Sequence, residues 1–250
     1  MLLPIKIENF LLKQNTDLIH LETVGSTMKE IKNHIGDKNI CLIADEQTEG
    51  IGRRGNQWVS PKGNIYLSFL FKYNLSIEHH FLFTAVTANS IILSLNNYIN
   101  ENINIKWPND IIINDAKIAG IMTDITEHKG IKYIIIGIGI NIASSPKLSD
   151  YKTCCVKNFN SKLIYEELLL NFFQTFFSEY AMIINNEQSN IINKFRDNMK
   201  DLNRKKTILL PNGKKEIVFI KNLNLDGSLL IEKEGKQESI FSARITDDFN

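Results

Sequence analysis

Between Ile103 and Ile142 strand-like apolar runs follow one another with only tight turns between them, and that spacing limits the folds open to this chain. Ile103 to Trp107 runs into Pro108-Asn109-Asp110, and Ile111 to Ile113 follows. Asn114-Asp115-Ala116 leads into Lys117 to Thr126, and Glu127-His128-Lys129-Gly130 leads back into Ile131 to Ile142. Parallel neighbours need a crossover of about a dozen residues, whereas short turns join antiparallel ones. The run therefore predicts an α+β fold: a mixed, mostly antiparallel sheet with helices packed on one side. Three earlier strands are expected at Leu18 to Thr23, Asn39 to Asp45 and Asn64 to Lys72, the last with Ile65, Leu67, Phe69 and Phe71 on one face.

Helical spacing fills the gaps. Thr27 and Glu30 form a capping-box pattern ahead of Met28, Ile31 and Ile35, and Gly36 is a natural stop. Phe81, Ala85, Ala88, Ile92, Leu95 and Ile99 make one stripe of a helix from about Ile77 to Ile99, with His79 and His80 as surface residues of its first turn. Leu168, Leu169, Phe172, Phe173, Phe176 and Phe177 mark an amphipathic helix over Ser161 to Met182, and another covers Glu187 to Met199. From Leu202 short strands alternate with Pro211-Asn212-Gly213, Leu225-Asp226-Gly227 and Lys233-Glu234-Gly235. That spacing predicts a small SH3-like β-barrel and hence two units, 1–200 and 201–250.

The 250 residues carry a formal net charge of +1, with 43% hydrophobic and 23% charged residues, the composition of a soluble protein. No whole-molecule field favours nucleic acid or an anionic membrane, so anion binding has to be local. The three cysteines, Cys41, Cys154 and Cys155, suit neither a disulfide framework nor a zinc spacing, which points to a reducing cytoplasm. Met1 to Lys6 lacks a signal-peptide pattern, and no apolar run reaches the roughly 18 residues of a membrane span.

Four stretches carry chemistry. Gly50-Ile51-Gly52-Arg53-Arg54-Gly55-Asn56-Gln57-Trp58 combines three glycines, two arginines and a tryptophan without periodicity. Its Gly-x-Gly-x-x-Gly spacing matches a dinucleotide fingerprint, but Ser60-Pro61-Lys62-Gly63 follows where a helix is required, so that reading is rejected. Close-approaching amides and forked cations still suit a phosphate, against the plainer alternative of a solvated loop. In Lys106-Trp107-Pro108-Asn109-Asp110 the proline fixes a turn that gathers an ammonium, an amide and a carboxylate. Lys117-Ile118-Ala119-Gly120 sets a lysine at the head of an apolar strand with a glycine inside it, and Gly137-Ile138-Gly139-Ile140-Asn141 adds two strand glycines and an amide. Ser26 and Thr27, at a strand-to-helix turn, fit N-capping as well as ligand binding.

In this order and spacing the four stretches resemble the biotin protein ligase family, together with the Ser26-Thr27 turn and Gln47. The resemblance runs from Leu18 through the C-terminal unit. It implies activation of biotin by ATP, with Mg2+ held mainly by the phosphates, to biotinyl-5'-AMP, then transfer to a lysine of a biotin carboxyl carrier protein. On this likeness Ser26, Thr27, Gln47, Gly50, Gly52, Arg53, Lys117, Gly120 and Gly137 would hold biotin. Arg53, Arg54, Trp58, Lys106, Asn109, Lys117 and Asn141 would hold ATP or the adenylate, and Lys117, Arg53 and Asp110 would be catalytic, with no metal held by the protein.

Many members of that family have an arginine where this chain has Ile51, which leaves the loop's charge to Arg53 and Arg54. Roughly 20 residues before the first strand are too few for a winged helix-turn-helix, so the form without a DNA-binding domain is expected, with neither DNA nor membrane as partner. A homodimer is compatible with this reading. The rivals are a lipoate or octanoate ligase or transferase of similar fold, and a non-catalytic binding module.

Overall fold

A computed structural model describes residues 4–147 and 151–246. The first three residues of the N-terminal segment, the middle of the polar stretch after Asn141 and the last four residues of the expected C-terminal unit lie outside them. The elements in chain order are α1 (Ile5–Lys13), β1 (Thr16–Val24), α2 (Thr27–Glu30), β2 (Asn39–Gln47), β3 (Ile65–Lys72), α3 (Phe81–Leu95), β4 (Ile103–Lys106), β5 (Asp110–Ile113), β6 (Ala116–His128) and β7 (Ile131–Ile140). Then come α4 (Tyr165–Ile184), α5 (Gln188–Asp197), β8 (Lys205–Leu209), β9 (Lys215–Leu223), β10 (Leu229–Lys233), β11 (Lys236–Ile240) and β12 (Arg244–Thr246).

The expected run of hairpins forms half of a seven-stranded sheet in the order β1-β2-β3-β7-β6-β5-β4. Only β1 and β2 pair in parallel. The pleat sorts the side chains. In β3, Ile65, Leu67, Phe69 and Phe71 face the helices, as do Ile134, Ile136, Ile138 and Ile140 of β7. Phe69 stacks on Phe176 of α4 with centroids 4.5 Å apart, and Phe71 stacks on Tyr180 at 4.9 Å. The alternate positions of the same strands, among them Ser68, Gly137 and Gly139, face the other way, under α2 and the glycine loop.

Several expectations need correction. Thr27 is not an N-cap: Ser26 takes that position without a side-chain capping bond, and Thr27 is the first helical residue. Local pattern fits both positions, but a distant partner, Gln47, claims the Thr27 amide and hydroxyl. The helix itself is a single α-turn continued by a 3-10 turn at Ile31–His34. α3 is shorter than its stripe suggests and is no one-faced helix, since every residue but Leu93 is buried between the sheet and α4 and α5. α1 is unanticipated, although Ile7 and Leu11, one turn apart, are its buried residues. No described helix is long and apolar enough to cross a membrane.

The C-terminal strands form a five-stranded antiparallel sheet in the order β11-β10-β9-β8-β12. β11 and β12 stand at opposite ends of this ladder and do not pair among the described residues, so the strand order does not by itself establish the SH3-like barrel expected. Two of its expected turns hold their glycines, Gly213 and Gly227, at φ 83°. Gly227 lies against the Phe81 ring, and its carbonyl accepts a 2.9 Å bond from Trp107 Nε1. The tryptophan of the Lys-Trp-Pro-Asn-Asp block is thus an anchor between the two sheets.

Candidate active site

The strand faces opposite the helices open into a cleft of about 660 Å3. Along one wall runs the glycine loop, folded back on itself. Trp58 N–H donates to the Gly50 carbonyl at 2.9 Å and Gly52 N–H to that of Asn56 at 2.7 Å. Arg53–Gly55 makes a 3-10 turn, so no helix follows the glycines. Gly50 is dictated by crowding, because a Cβ there would lie 2.2 Å from the Trp58 carbonyl oxygen. The doubled-back loop lays the Trp58 indole flat on the sheet, where a Cβ at Gly139 would meet the ring at 2.4 Å and one at Gly120 at 2.9 Å. The strand glycines are therefore small because an aromatic plane rests on them.

The opposite wall is the β5-β6 hairpin. Ile111 pairs with Ala119 but Ile112 pairs with Lys117, so Ile118 is an extra residue in β6. This bulge turns Lys117 and Gly120, three residues apart, to the same face, with Asp110 directly across from Gly120. The Lys117 side chain folds back over the glycine, and its ammonium lies 2.8 Å from Asp110 Oδ1 and 4.9 Å above the Trp58 ring. Its side chain is only 15% exposed, so water screens this charge less than at the surface. Arg53 reaches across the cleft, Nη1 donating to Asn109 Oδ1 at 3.1 Å. Burial, then Arg54, push its pKa below the usual guanidinium value while Asp110 opposes them, and the group remains a cation.

At the inner end sits a polar pocket whose hydrogen bonds have a definite direction. Gln47 Oε1 accepts from Thr27 N–H at 2.8 Å and from Thr27 Oγ1 at 3.1 Å. Gln47 Nε2 donates to Ser60 Oγ at 3.0 Å, and Ser60 donates on to the Trp58 carbonyl at 2.8 Å. Ser68 Oγ donates to Thr27 Oγ1 at 2.9 Å. Ser26 is 2% exposed, and its Oγ has no hydrogen-bond partner.

Of the residues expected at the site, Ser26, Thr27, Gln47, Gly52, Arg53, Arg54, Trp58, Lys106, Asn109, Asp110, Lys117, Gly120 and Gly137 line this one cleft. Gly50 and Asn141 do not. Gly50 supports the loop from behind, and Asn141 is buried, its Nδ2 bonded to the Cys154 carbonyl while its Oδ1 has no partner. Sequence reasoning misses Ser60 and Ser68, and also Tyr151 and Arg244, which line the cleft from a distant loop and from β12. A signal existed for Ser68, the one polar residue between Ile65 and Phe71 apart from Tyr66. Among the described residues no group of three His, Cys, Asp or Glu could hold a metal, and the three cysteines are free and buried.

Comparison with known proteins matches residues 21–141 to the biotin/lipoate A/B protein ligase family. The bifunctional ligase/repressor BirA of Bacillus subtilis is 32% identical over 134 residues, 52% of this chain and 41% of that protein. The biotin–acetyl-CoA-carboxylase ligase of Paracoccus denitrificans is 33% identical over 108 residues, 42% of this chain and 45% of that protein. The chain thus spans less than half the length of these curated relatives. Among solved structures, biotin protein ligase from Aquifex aeolicus in complex with biotin and ATP superposes with a TM-score of 0.77 at 24% identity, covering 92% of this chain and 97% of that one. That likeness is one of fold. Biotin protein ligase from Leishmania major in complex with biotinyl-5-AMP gives a TM-score of 0.62 at 26% identity, covering 90% and 98%.

Proposed function

We propose that this chain, whose residues 21–141 match the biotin/lipoate A/B protein ligase family, is an ATP-dependent biotin protein ligase. The observation that carries the reading is the polarity of the inner pocket. Ser26 Oγ and the second Nε2 hydrogen of Gln47 are donors for a carbonyl, and Thr27 Oγ1, whose own hydrogen goes to Gln47, keeps a lone pair for an N–H. A cyclic urea offers that complement, a carbonyl flanked by N–H groups. The dithiolane of lipoate and the chain end of octanoate offer neither, and a site built to hydrogen-bond its substrate rejects the analogue that leaves its groups unpaired.

The rest of the cleft suits the two half-reactions. Arg53 and Lys117 offset the repulsion as a biotin carboxylate oxygen attacks the α-phosphorus of ATP and the bond to pyrophosphate breaks. ATP would bring Mg2+ on its own phosphates, in keeping with a cleft whose carboxylates, Asp110 and Asp115, are engaged by Lys117 and Lys200. Trp58 supplies an aromatic surface for adenine, and Arg54, Lys106 and Asn109 flank the phosphates. Gly120 and Gly137 leave room for the Trp58 ring and the Met28 side chain that line the cleft over the strands, and Gly52 for the turn back to Asn56. Ile51, half-buried on the loop, adds apolar cover in place of charge. In the second step a lysine amine of a biotin carboxyl carrier domain attacks the acyl carbon and AMP leaves. Asp110 takes the amine's proton. We assign residues 1–200 to catalysis and 201–250 to a C-terminal unit whose β12 adds Arg244 to the cleft wall.

Pyrophosphate exchange into ATP tests the reading. Biotin supports exchange, and lipoate and octanoate leave it at background. Exchange driven by lipoate or octanoate but not by biotin would refute the assignment.

A further inference from the structure

We propose that Met28 is a specificity-determining residue, the surface on which the second, apolar ring of a fused bicyclic urea rests; the inference rests on the biotin reading above and deepens it. Met28 follows Thr27 in the single turn of α2, so a thioether stands beside the hydroxyl that meets the ligand. Its side chain lies along β7, where a Cβ at Gly137 would come within 2.4 Å of Sδ and 2.6 Å of Cγ. The glycine is the seat of the methionine. Gly137 pairs with Met122 of β6, and directly opposed residues share a face, so Met122 stands next to that seat. Met28 is 8% exposed and belongs to the smaller apolar cluster of the molecule, with Ile31, Leu42 and Ile135 in its core and Met122 packed against it. Of the described residues in that cluster, only Met28 and Met122 also line the cleft.

The wall between that core and the ligand is thus two unbranched thioethers, soft and without a strong hydrogen-bonding group. A urea held by Ser26, Thr27 and Gln47 has a ring fused to it that offers no hydrogen-bond donor, and such a ring needs apolar surface close to the polar pocket. The chain bearing the carboxylate leaves toward Lys117, and Trp58 is taken by adenine. What remains next to the urea is Met28, one residue and about 3.8 Å of backbone beyond Thr27. The polar groups do not depend on the methionine for their aim, because Gln47 holds the Thr27 amide and hydroxyl at 2.8 and 3.1 Å. Shortening Met28 therefore removes the surface under the second ring and leaves the urea contacts in place.

The test is pyrophosphate exchange by the full chain at saturating ATP, with biotin and with desthiobiotin, which keeps the urea and the carboxylate but lacks the sulfur that closes the second ring. The parent is expected to prefer biotin in kcat/KM by about 10-fold or more, the scale of one apolar group in a fitted pocket. In Met28→Ala that preference falls about 3- to 10-fold, through the KM for biotin, while the KM for ATP stays within about twofold. Met28→Gln, unbranched and of similar length, keeps its stem on Gly137 but sets an amide under the ring, and it lowers the preference as well. An unchanged preference in Met28→Ala, or in Met28→Gln where the alanine variant does not fold, would overturn the proposal. Parallel losses on both substrates are what a purely structural methionine gives. A parent preference under about threefold would overturn it too. If the parent shows no biotin-dependent exchange, the biotin reading fails first, and that result is distinct from the others.

Discussion

Replacing Lys117 with alanine separates the charge of the cleft from its architecture. The ammonium is held 2.8 Å from Asp110 by a strand bulge and is 15% exposed, so it is a fixed donor needing little rearrangement when negative charge grows at the α-phosphorus. Removal of one such pre-organised donor typically slows a reaction by about 10²- to 10³-fold, or about 3–4 kcal/mol of transition-state stabilisation. Stability should move far less. The partner Asp110 is 28% exposed and can be rehydrated from the cleft, so the broken pair costs about 1 kcal/mol at most. The assay is biotin-dependent exchange at saturating biotin and ATP, with thermal unfolding alongside. Asp110 left without its partner could itself repel the substrates, and the Lys117→Ala/Asp110→Ala double variant accounts for that. Recovery by more than about tenfold would assign the loss to Asp110 and not to the missing ammonium. A single-variant loss below about tenfold would refute the role given to Lys117.

Other expectations are more local. Gly139→Ala puts a methyl group 2.4 Å from the Trp58 ring, so the indole has to lift; the KM for ATP should rise, with a change in Trp58 emission followed in a Trp107→Phe background. Gly227→Ala combines φ 83° with a Cβ 2.1 Å from the Phe81 ring and should cost about 2–4 kcal/mol in denaturant unfolding; under about 1 kcal/mol would mean the turn adapts freely. Trypsin should cut after Arg53 or Arg54 more slowly once biotin and ATP are added, and equal rates would rule out loop closure. Burial, with Cys155 adding to it, pushes the Cys154 thiol up from 9.0 to about 11. Because the folded value is the raised one, this contribution to stability is complete below about pH 9 and declines as pH climbs from there through about 11. Replacing Cys154 with serine should flatten that part of the pH–stability curve.

What the sequence makes legible here is what short-range rules govern. The hairpins from Ile103 to Ile142 are announced by turns too short for crossovers, and the outward glycines of β7 follow from a period of two. The expected cations Arg53, Lys106 and Lys117 do line one cleft. What escapes has its cause far along the chain. The true capping position at Ser26 depends on Gln47, twenty residues away, and the partner of Ser68 is a hydroxyl 41 residues away. The burial of α3 on all sides follows from α4 and α5 covering it, which its own stripe does not encode. The bulge at Ile118 is invisible because one surplus apolar residue in an apolar strand leaves no break in the pattern.

That surplus residue makes the position of the reactive lysine a matter of parity. A strand counts its side chains in twos, and Lys117 and Gly120, an odd number apart, look the same way only because Ile118 is skipped in the count. Drawing Ile118 into the ladder opposite Ile112 would turn the ammonium into the apolar layer, so the aim of the lysine depends on that one residue staying out of the pairing.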